Sequence, residues 1–568
     1  MKKNIGFILF LSWLGFSSCE DFLEPGKFNN LYEEDILASP TFTEGILLTA
    51  YNALPNDYYF YYDVASDDAV TNVQDSPYSR MATGEWSSKF YPGSPWESSY
   101  TQISYINKFL SVYESVQYSV DVRNSPEVNR NRDLLHKQRL KGEAHGLRAW
   151  YKWRLLQHFS GKGPDGTLLG FPIVDQVIDP SDEWQLPRNT FAECVNSIMG
   201  DLDVAIDALP GNYSDRPGDG DFNSTMGNRY QNRMNGNAAT VLKSRVALLA
   251  ASPAFSESNA VTWAEAAEVA GPLIRELGPL PENGNTFYAS TTSPEIIWNL
   301  SQRSIRTWEE NNFPPSLFGA GNTNPSQNLV DAFPMQNGYP IDHPASGYDP
   351  ANPYSNRDPR LSEYIIYDGL DFKQTINSYV GAPLDGINQL VSSTRTGYYL
   401  KKFMAPGVNL NPSGLVSTAH TYTLARMTEL VLNYAEAANE AWGPDGDPNG
   451  YGFTARSKIR ELRERAGIPA PDPYLSSISS PEEMRMLIKN ERRLALCFEE
   501  FRFWDIRRWN DVETMQEPVK GVFITHSGDT RAYEYRNIEA RAFGENMIYG
   551  PIPYNETLIY DIVQNSGW

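Results

Sequence analysis

Three cysteines in 568 residues are too few for a disulfide framework. Cys194 and Cys497 are expected in helices as buried free thiols, so Cys19 is the one thiol whose position carries information. Histidine is nearly as scarce, at six, and none stands in a His-Glu-x-x-His arrangement, so there is no zinc-hydrolase signature. A glycine-rich phosphate loop and a Gly-x-Ser-x-Gly elbow are both missing. Positive charge is also short: 48 basic against 70 acidic residues give a net charge of -22, which repels a phosphate backbone and excludes nucleic acid as a partner. After the N-terminus no apolar run approaches the roughly eighteen residues needed to cross a bilayer.

The N-terminus itself is patterned. Lys2 and Lys3 precede a twelve-residue apolar stretch, Ile5 to Phe16, and Ser17 and Ser18 are the small residues a signal peptidase requires. This reads as an export signal, too short for a stable membrane span. A cysteine directly after the small pair resembles a bacterial lipobox, in which the thiol is acylated and the chain is cut before it; Phe16 stands where leucine is usual. Residues 1–18 are then the signal and Cys19 the lipidated first residue of the mature chain. The alternative is an ordinary secretory signal with an incidental cysteine.

Apolar residues make up 41% of the chain, ample for a large core. Thr41 with Glu44, Ser94 with Glu97, Thr190 with Glu193, Thr262 with Glu265 and Ser480 with Glu483 have the spacing of capping boxes, and Pro95 and Pro481 suit first helical positions. Phe191, Val195, Ile198, Leu202, Ile206 and Leu209 share one helical face, as do Ala144, Leu147, Tyr151, Leu155 and His158. Further helices are expected near 237–251, 262–276, 421–442, 453–466 and 481–509. The last three recur at about thirty residues, near the tetratricopeptide period of roughly thirty-four, without its signature residues. The fold class is therefore mainly α.

Residues 281–419 differ: proline, glycine, asparagine and aromatics crowd them without a sustained helical period, a loop-rich insert between helical portions at about 40–280 and 420–510. The chain carries 33 Tyr, 13 Trp and 26 Phe, many in turn-rich segments where no helical period buries them. Rings of this kind stack on the apolar faces of sugars while neighbouring acids accept hydroxyl hydrogen bonds.

Several stretches together resemble the SusD-like (RagB/SusD) nutrient-binding lipoproteins of Bacteroidetes. They are the lipobox into "CEDFLEP", "GEAHGLRAWYKWRLLQHFSGKG" with "GFPIV", "DAFPMQNGYPI" with "NPYSNRDPRL", "RMTELVLNYAEAANEAWGP", "IRELRERAGIP", "KNERRLALCFEEFRFWDIRRW" and "PIPYNETLIYDIVQNSGW". The match runs in order from Cys19 to Trp568. The resemblance implies one domain over residues 19–568, with tetratricopeptide-like helix pairs and an irregular ligand-facing portion. It also implies a lipid anchor at the outer membrane and cell surface, and a partnership with a SusC-like TonB-dependent transporter. Members capture oligosaccharides, or peptides in some cases, and do no chemistry.

The residues expected at the ligand are Trp86, Tyr91 and Asp67 from the N-terminal loops, and Trp308, Phe313 and Tyr398 from the insert. Tyr58 to Tyr62, Phe318 and Tyr399 lie in the same segments, and the resemblance makes 300–325 the usual contact loop. Trp96, in a first helical turn, reads as core. Binding by ring stacking on a shallow surface implies dissociation constants of roughly micromolar to millimolar, about 4–8 kcal/mol. The acids and arginines between Glu491 and Arg508 read as ion pairs and transporter contacts rather than catalytic groups. Asp445, Asp447, Asn449 and Gly450 begin like a calcium loop, but Arg456 stands at its twelfth position, so a solvated turn is expected. No cofactor, metal or catalytic residue is expected. A surface glycoside hydrolase, needing only two spaced carboxylates, and an adhesin are the opposing readings.

Overall fold

The computed structural model describes residues 39–568 apart from residues 180, 182, 291 and 529, so the export signal and Cys19 lie outside the described residues. Ten helices carry the scaffold: α1 (Pro40–Asn52), α2 (Trp96–Val112), α3 (Pro126–Phe159), α4 (Phe191–Ala208), α5 (Gly236–Ala251), α6 (Trp263–Leu277), α7 (Met427–Trp442), α8 (Ala455–Arg465), α9 (Pro481–Leu496) and α10 (Arg502–Arg508). Each of α1 to α6 packs on the next, α6 packs on α7 across the intervening 149 residues 278–426, and α7 meets α8 and α9. This is a helical, tetratricopeptide-like scaffold.

Local chemistry explains most of the helix starts. Thr190, Thr262 and Ser480 form complete capping boxes with Glu193, Glu265 and Glu483. The other two expected boxes do not form. Ser39 caps α1, one residue before Pro40, so Thr41 is already helical; α2 begins at Trp96 after Pro95, with no side-chain cap. The expected helix 481–509 is two helices interrupted at Cys497–Phe501, which places Cys497 just beyond α9, and the expected helix at 421 begins as a strand, Thr423–Arg426. Cys194 and Cys497 are free and buried.

α3, at 34 residues, is the spine of the N-terminal half. Gly142 and Gly146 sit one turn apart on it, and a Cβ at either would meet Leu209 Cγ at 2.6 Å or Met234 Cγ at 2.7 Å. The absent side chains are what let the α4 end approach. α3 and α4 are also tied by a buried hub: Asp201 accepts from His145 at 2.7 Å, Arg148 at 2.5 and 2.9 Å, and Lys152 at 2.7 Å.

The remainder is irregular, with short antiparallel pairs. β1 (Ala69–Thr71) pairs with Thr323–Pro325, Thr423–Arg426 pairs with Ile296–Asn299, and Val519–Ser527 forms a hairpin with Thr530–Glu539. A second apolar core lies here, built from Phe60, Trp308, Phe313, Leu329, Tyr364, Tyr398, Phe403 and Phe498 among others. Its members come from both ends of the chain as well as the middle, so the insert is folded around segments of the scaffold. Among the described residues no helix is long and apolar enough to cross a membrane.

Candidate ligand-binding site

The residues expected at the ligand are placed inside the protein. Trp86 is 4% exposed and packs against Trp568, Tyr91, Phe503 and the Arg507 guanidinium. Trp308 is 2% exposed, edge-on to Tyr58 and His420, with its indole N–H donating to Asp57. Phe313 meets Phe372 in the second core, and Tyr398 donates to Gln327 at 2.5 Å and pairs with the Tyr354 hydroxyl at 3.2 Å. Asp67 is clamped by Arg493 and Arg502, both at 2.8 Å. Burial is outweighed by these two guanidinium groups, which hold its carboxyl well below the usual range. Tyr91, half-buried, bonds His158 Nδ1 at 2.9 Å. Turn-rich backbone does not expose a ring when side chains from distant segments close over it; the five rings are committed to such contacts and Asp67 to its two arginines. Trp96 is core, 6% exposed.

The charged run after Lys489 is also internal. Glu491 joins Arg360 and Arg463, Arg492 joins Asp505, and Arg508 joins Glu436 and Asp505, all buried. These are ion pairs as expected, but they bind the scaffold to itself and are not available as transporter contacts.

A crevice does open at the junction of the two halves. One wall is the C-terminal part of α3, where Trp150, Trp153, Arg154, Gln157 and His158 follow one another at helical steps of three and four and share a face. The opposite wall is the break between α9 and α10, with Glu499, Glu500, Phe501 and Trp504; Tyr62, Tyr422 and Arg245 complete the lining. The cavity is about 120 Å³ and adjoins a second of about 80 Å³ through Trp150, Arg245, Tyr422, Glu499 and Phe501.

The break is held in costly backbone. Phe498 and Glu500 both lie in the left-handed region, φ 61 and 64°, at about 1–3 kcal/mol each for non-glycine residues. Tertiary bonds stabilise it: Phe498 N–H donates to Asp63 at 3.1 Å, and Glu499 receives Arg426 at 2.7 and 2.8 Å and Lys402 at 2.7 Å. Burial raises the Glu499 pKa, but Arg426 and Lys402 outweigh it and hold the carboxyl below its ordinary range. Glu500 has no such hydrogen-bonded cation; burial raises its pKa from the ordinary value despite the charge of Arg154, and its Oε1 accepts the Tyr61 N–H at 3.1 Å. Burial likewise keeps His158 neutral.

Several polar groups in the crevice are unengaged. The Trp150 indole N–H, the Tyr62 hydroxyl and Arg154 Nε are buried with no hydrogen-bond partner among the described residues. Beside the crevice, "DYYFYYD" alternates: Tyr58, Phe60 and Tyr62 point inward at 7, 1 and 6% exposure, whereas Tyr59 and Tyr61 are 50 and 41% exposed. Tyr59 stacks on Tyr61 at 5.0 Å and Tyr61 on Tyr78 at 4.4 Å, a three-ring ladder with its outer end in solvent. Phe318, at 57% the exposed ring of the 300–325 loop, is a second such surface.

Larger hollows exist. A groove of about 800 Å³ runs beside α9, but its Asn328, Asn490, Asp331 and Arg493 are already bonded within the protein. A hollow of about 680 Å³ is lined by amides without aromatic rings. The crevice combines rings with unsatisfied donors from Trp150, Tyr62 and Arg154. Asp445 pairs with Arg456 and Asp447 accepts the Tyr451 and Gly452 N–H groups, so the calcium-like turn satisfies itself; among the described residues no three His, Cys, Asp or Glu side chains come together as a metal-holding cluster.

Two family models match the chain, "SusD family" over residues 294–568 and "Starch-binding associating with outer membrane" over residues 21–219. The chain belongs to the SusD family. Its SusD-like fold is shared with a SusD-like protein from Bacteroides fragilis, 23% identical over 94% of this chain and 99% of that one, TM-score 0.74. A SusD-like carbohydrate-binding protein from the same organism is 21% identical over 92% and 99%, TM-score 0.69. A laminarin-binding SusD-like protein is 17% identical over 94% and 100%, TM-score 0.60. No curated protein matches the chain in sequence.

Proposed function

We propose that this SusD-family chain is a cell-surface, non-catalytic lipoprotein that captures oligosaccharides and delivers them to a SusC-like TonB-dependent transporter. The observation that carries the reading is the meeting of aromatic faces and unpartnered donors at one crevice, beside the exposed Tyr59–Tyr61–Tyr78 ladder. A saccharide would lie on the Tyr59 face and turn one ring into the crevice, where Trp150 N–H and Tyr62 O–H offer hydrogen bonds. Two SusD-like relatives described as carbohydrate- and laminarin-binding support the ligand class, and the outer-membrane family description supports the location. The lipid on Cys19 would hold residues 19–568, as one domain, at that surface.

Binding without turnover follows from the crevice acids. Glu499 is neutralised by Arg426 and Lys402, so beside Glu500, with its raised pKa, the crevice lacks the free second carboxylate that a glycosidase needs. The test is calorimetric titration of the full chain against plant, fungal, host and bacterial oligosaccharides, with each mixture analysed for shortened products. Saturable heat with intact ligand, lost in Tyr59→Ala, supports the reading. Shortened sugars would replace it with an enzyme, and binding only of peptides would replace the ligand class. Co-purification of a TonB-dependent transporter with the full chain, reduced by Cys19→Ser only through loss from the membrane, tests delivery.

A further inference from the structure

Beside the crevice, Arg245 is bidentate to Glu429, Arg426 to Glu499, and Arg507 donates to the Met547 and Ile548 carbonyls. Arg154 is the exception. It makes no hydrogen bond or ion pair with any described residue, and its Nε is buried. The acid whose charge acts on it, Glu500, is turned instead to the Tyr61 N–H. In a chain with 70 acidic residues, a half-buried guanidinium with no carboxylate on it is a vacant recognition fork.

We propose that Arg154 receives the carboxylate of a uronic-acid ring, so that the saccharide this crevice selects is acidic. Arg154 projects from α3 between Trp153 and Gln157, and Trp504 faces it from α10. A pyranose carboxylate is planar and presents two oxygens at the spacing of the guanidinium fork, while the ring's C–H face meets indole. Lysine in its place would keep the charge and lose the fork. This rests on reading the crevice as a saccharide site, which the experiment separates from the inference itself.

The full chain is titrated with oligogalacturonide, oligoglucuronide and alginate oligomers, each beside its own methyl ester, and with neutral oligosaccharides and sulfated ones. At least one acid form should bind about tenfold or more tighter than its ester, the gain expected of charge-assisted hydrogen bonds to one guanidinium. Arg154→Gln should remove that difference by weakening the acid form far more than the ester, with an unchanged unfolding midpoint reporting that the variant is folded, and Arg154→Lys should restore it only in part. Equal affinity of acid and ester, or a preference that survives Arg154→Gln, would overturn the inference. Tight binding of neutral or sulfated saccharides alone would overturn it and leave saccharide capture standing. If no saccharide binds at all, both fall.

Discussion

The helical half and the loop-rich half satisfy the same requirement, that buried backbone groups be bonded, by opposite means. In α4 the ladder is internal, and only the ends need help, which Thr190 and Glu193 supply at 2.8 and 3.3 Å. In the irregular half the carbonyls have no ladder, so buried cations serve them. Arg357 donates to the carbonyls of Pro353, Val330 and Phe333 at 2.6–2.8 Å; Lys402 serves Ala495 and Cys497; Arg541 serves Val64, Ser66 and Ala69. Thr394 Oγ1 accepts from three successive N–H groups, Thr396 to Tyr398. The lesson is that arginines in a turn-rich segment can be structural staples as much as surface charges.

Five substitutions would break or sharpen that contrast. The largest effect is expected at a buried charge hub inside the helical half itself: Asp201→Asn strands Arg148 and Lys152 and should cost about 3–5 kcal/mol at pH 7, read by denaturant unfolding. Asp201 is held well below its ordinary pKa, burial being outweighed by His145, Arg148 and Lys152. Its contribution is therefore full above the unfolded value of about 3.9 and is lost as pH falls through the folded one, so wild type and variant should converge in acid. Asp63 should run the other way. Burial, then Glu500 and Asp68, raise its pKa well above normal, so its stability is full below about 3.9 and is lost as pH rises; Asp63→Asn should gain on wild type between pH 4 and 7.

Next, Arg357→Ala leaves three buried carbonyls short of a donor and should destabilise the loop half by about 2–4 kcal/mol, seen as early hydrogen exchange there while α3 to α5 stay protected. Thr190→Ala, which removes only a helix cap, should cost about 1 kcal/mol in the same unfolding assay. Last, Tyr59→Ala should leave stability unchanged within about 0.5 kcal/mol, because the ring is exposed, and yet abolish saccharide heat. Equal losses for Arg357→Ala and Thr190→Ala would remove the contrast between the halves.

The candidate site was legible in part. The aromatic run Tyr58 to Tyr62 is written in the chain, and so is the stripe Trp150, Trp153, Arg154, Gln157, His158, where polar residues interrupt an aromatic helical face. The stripe reads as ordinary core beside the apolar series Ala144, Leu147, Tyr151 and Leu155, and the two differ only in what they face. Trp86 and Trp308 look free in the sequence because Trp568 and Asp57, which cover or bind them, are 482 and 251 positions away.

By itself the sequence determined the mainly helical class, three of the helix starts and the break in character near residue 281, because caps, periodicity and turn residues act within a few positions of the chain. Only the tertiary structure decided which aromatics meet solvent, where the helix at 481 stops and that the crevice arginine, Arg154, has no hydrogen-bond partner among the described residues. Those depend on contacts between distant positions, such as Asp63 holding Phe498 across 435 positions and Lys402 holding Glu499 across 97, and no local pattern encodes them.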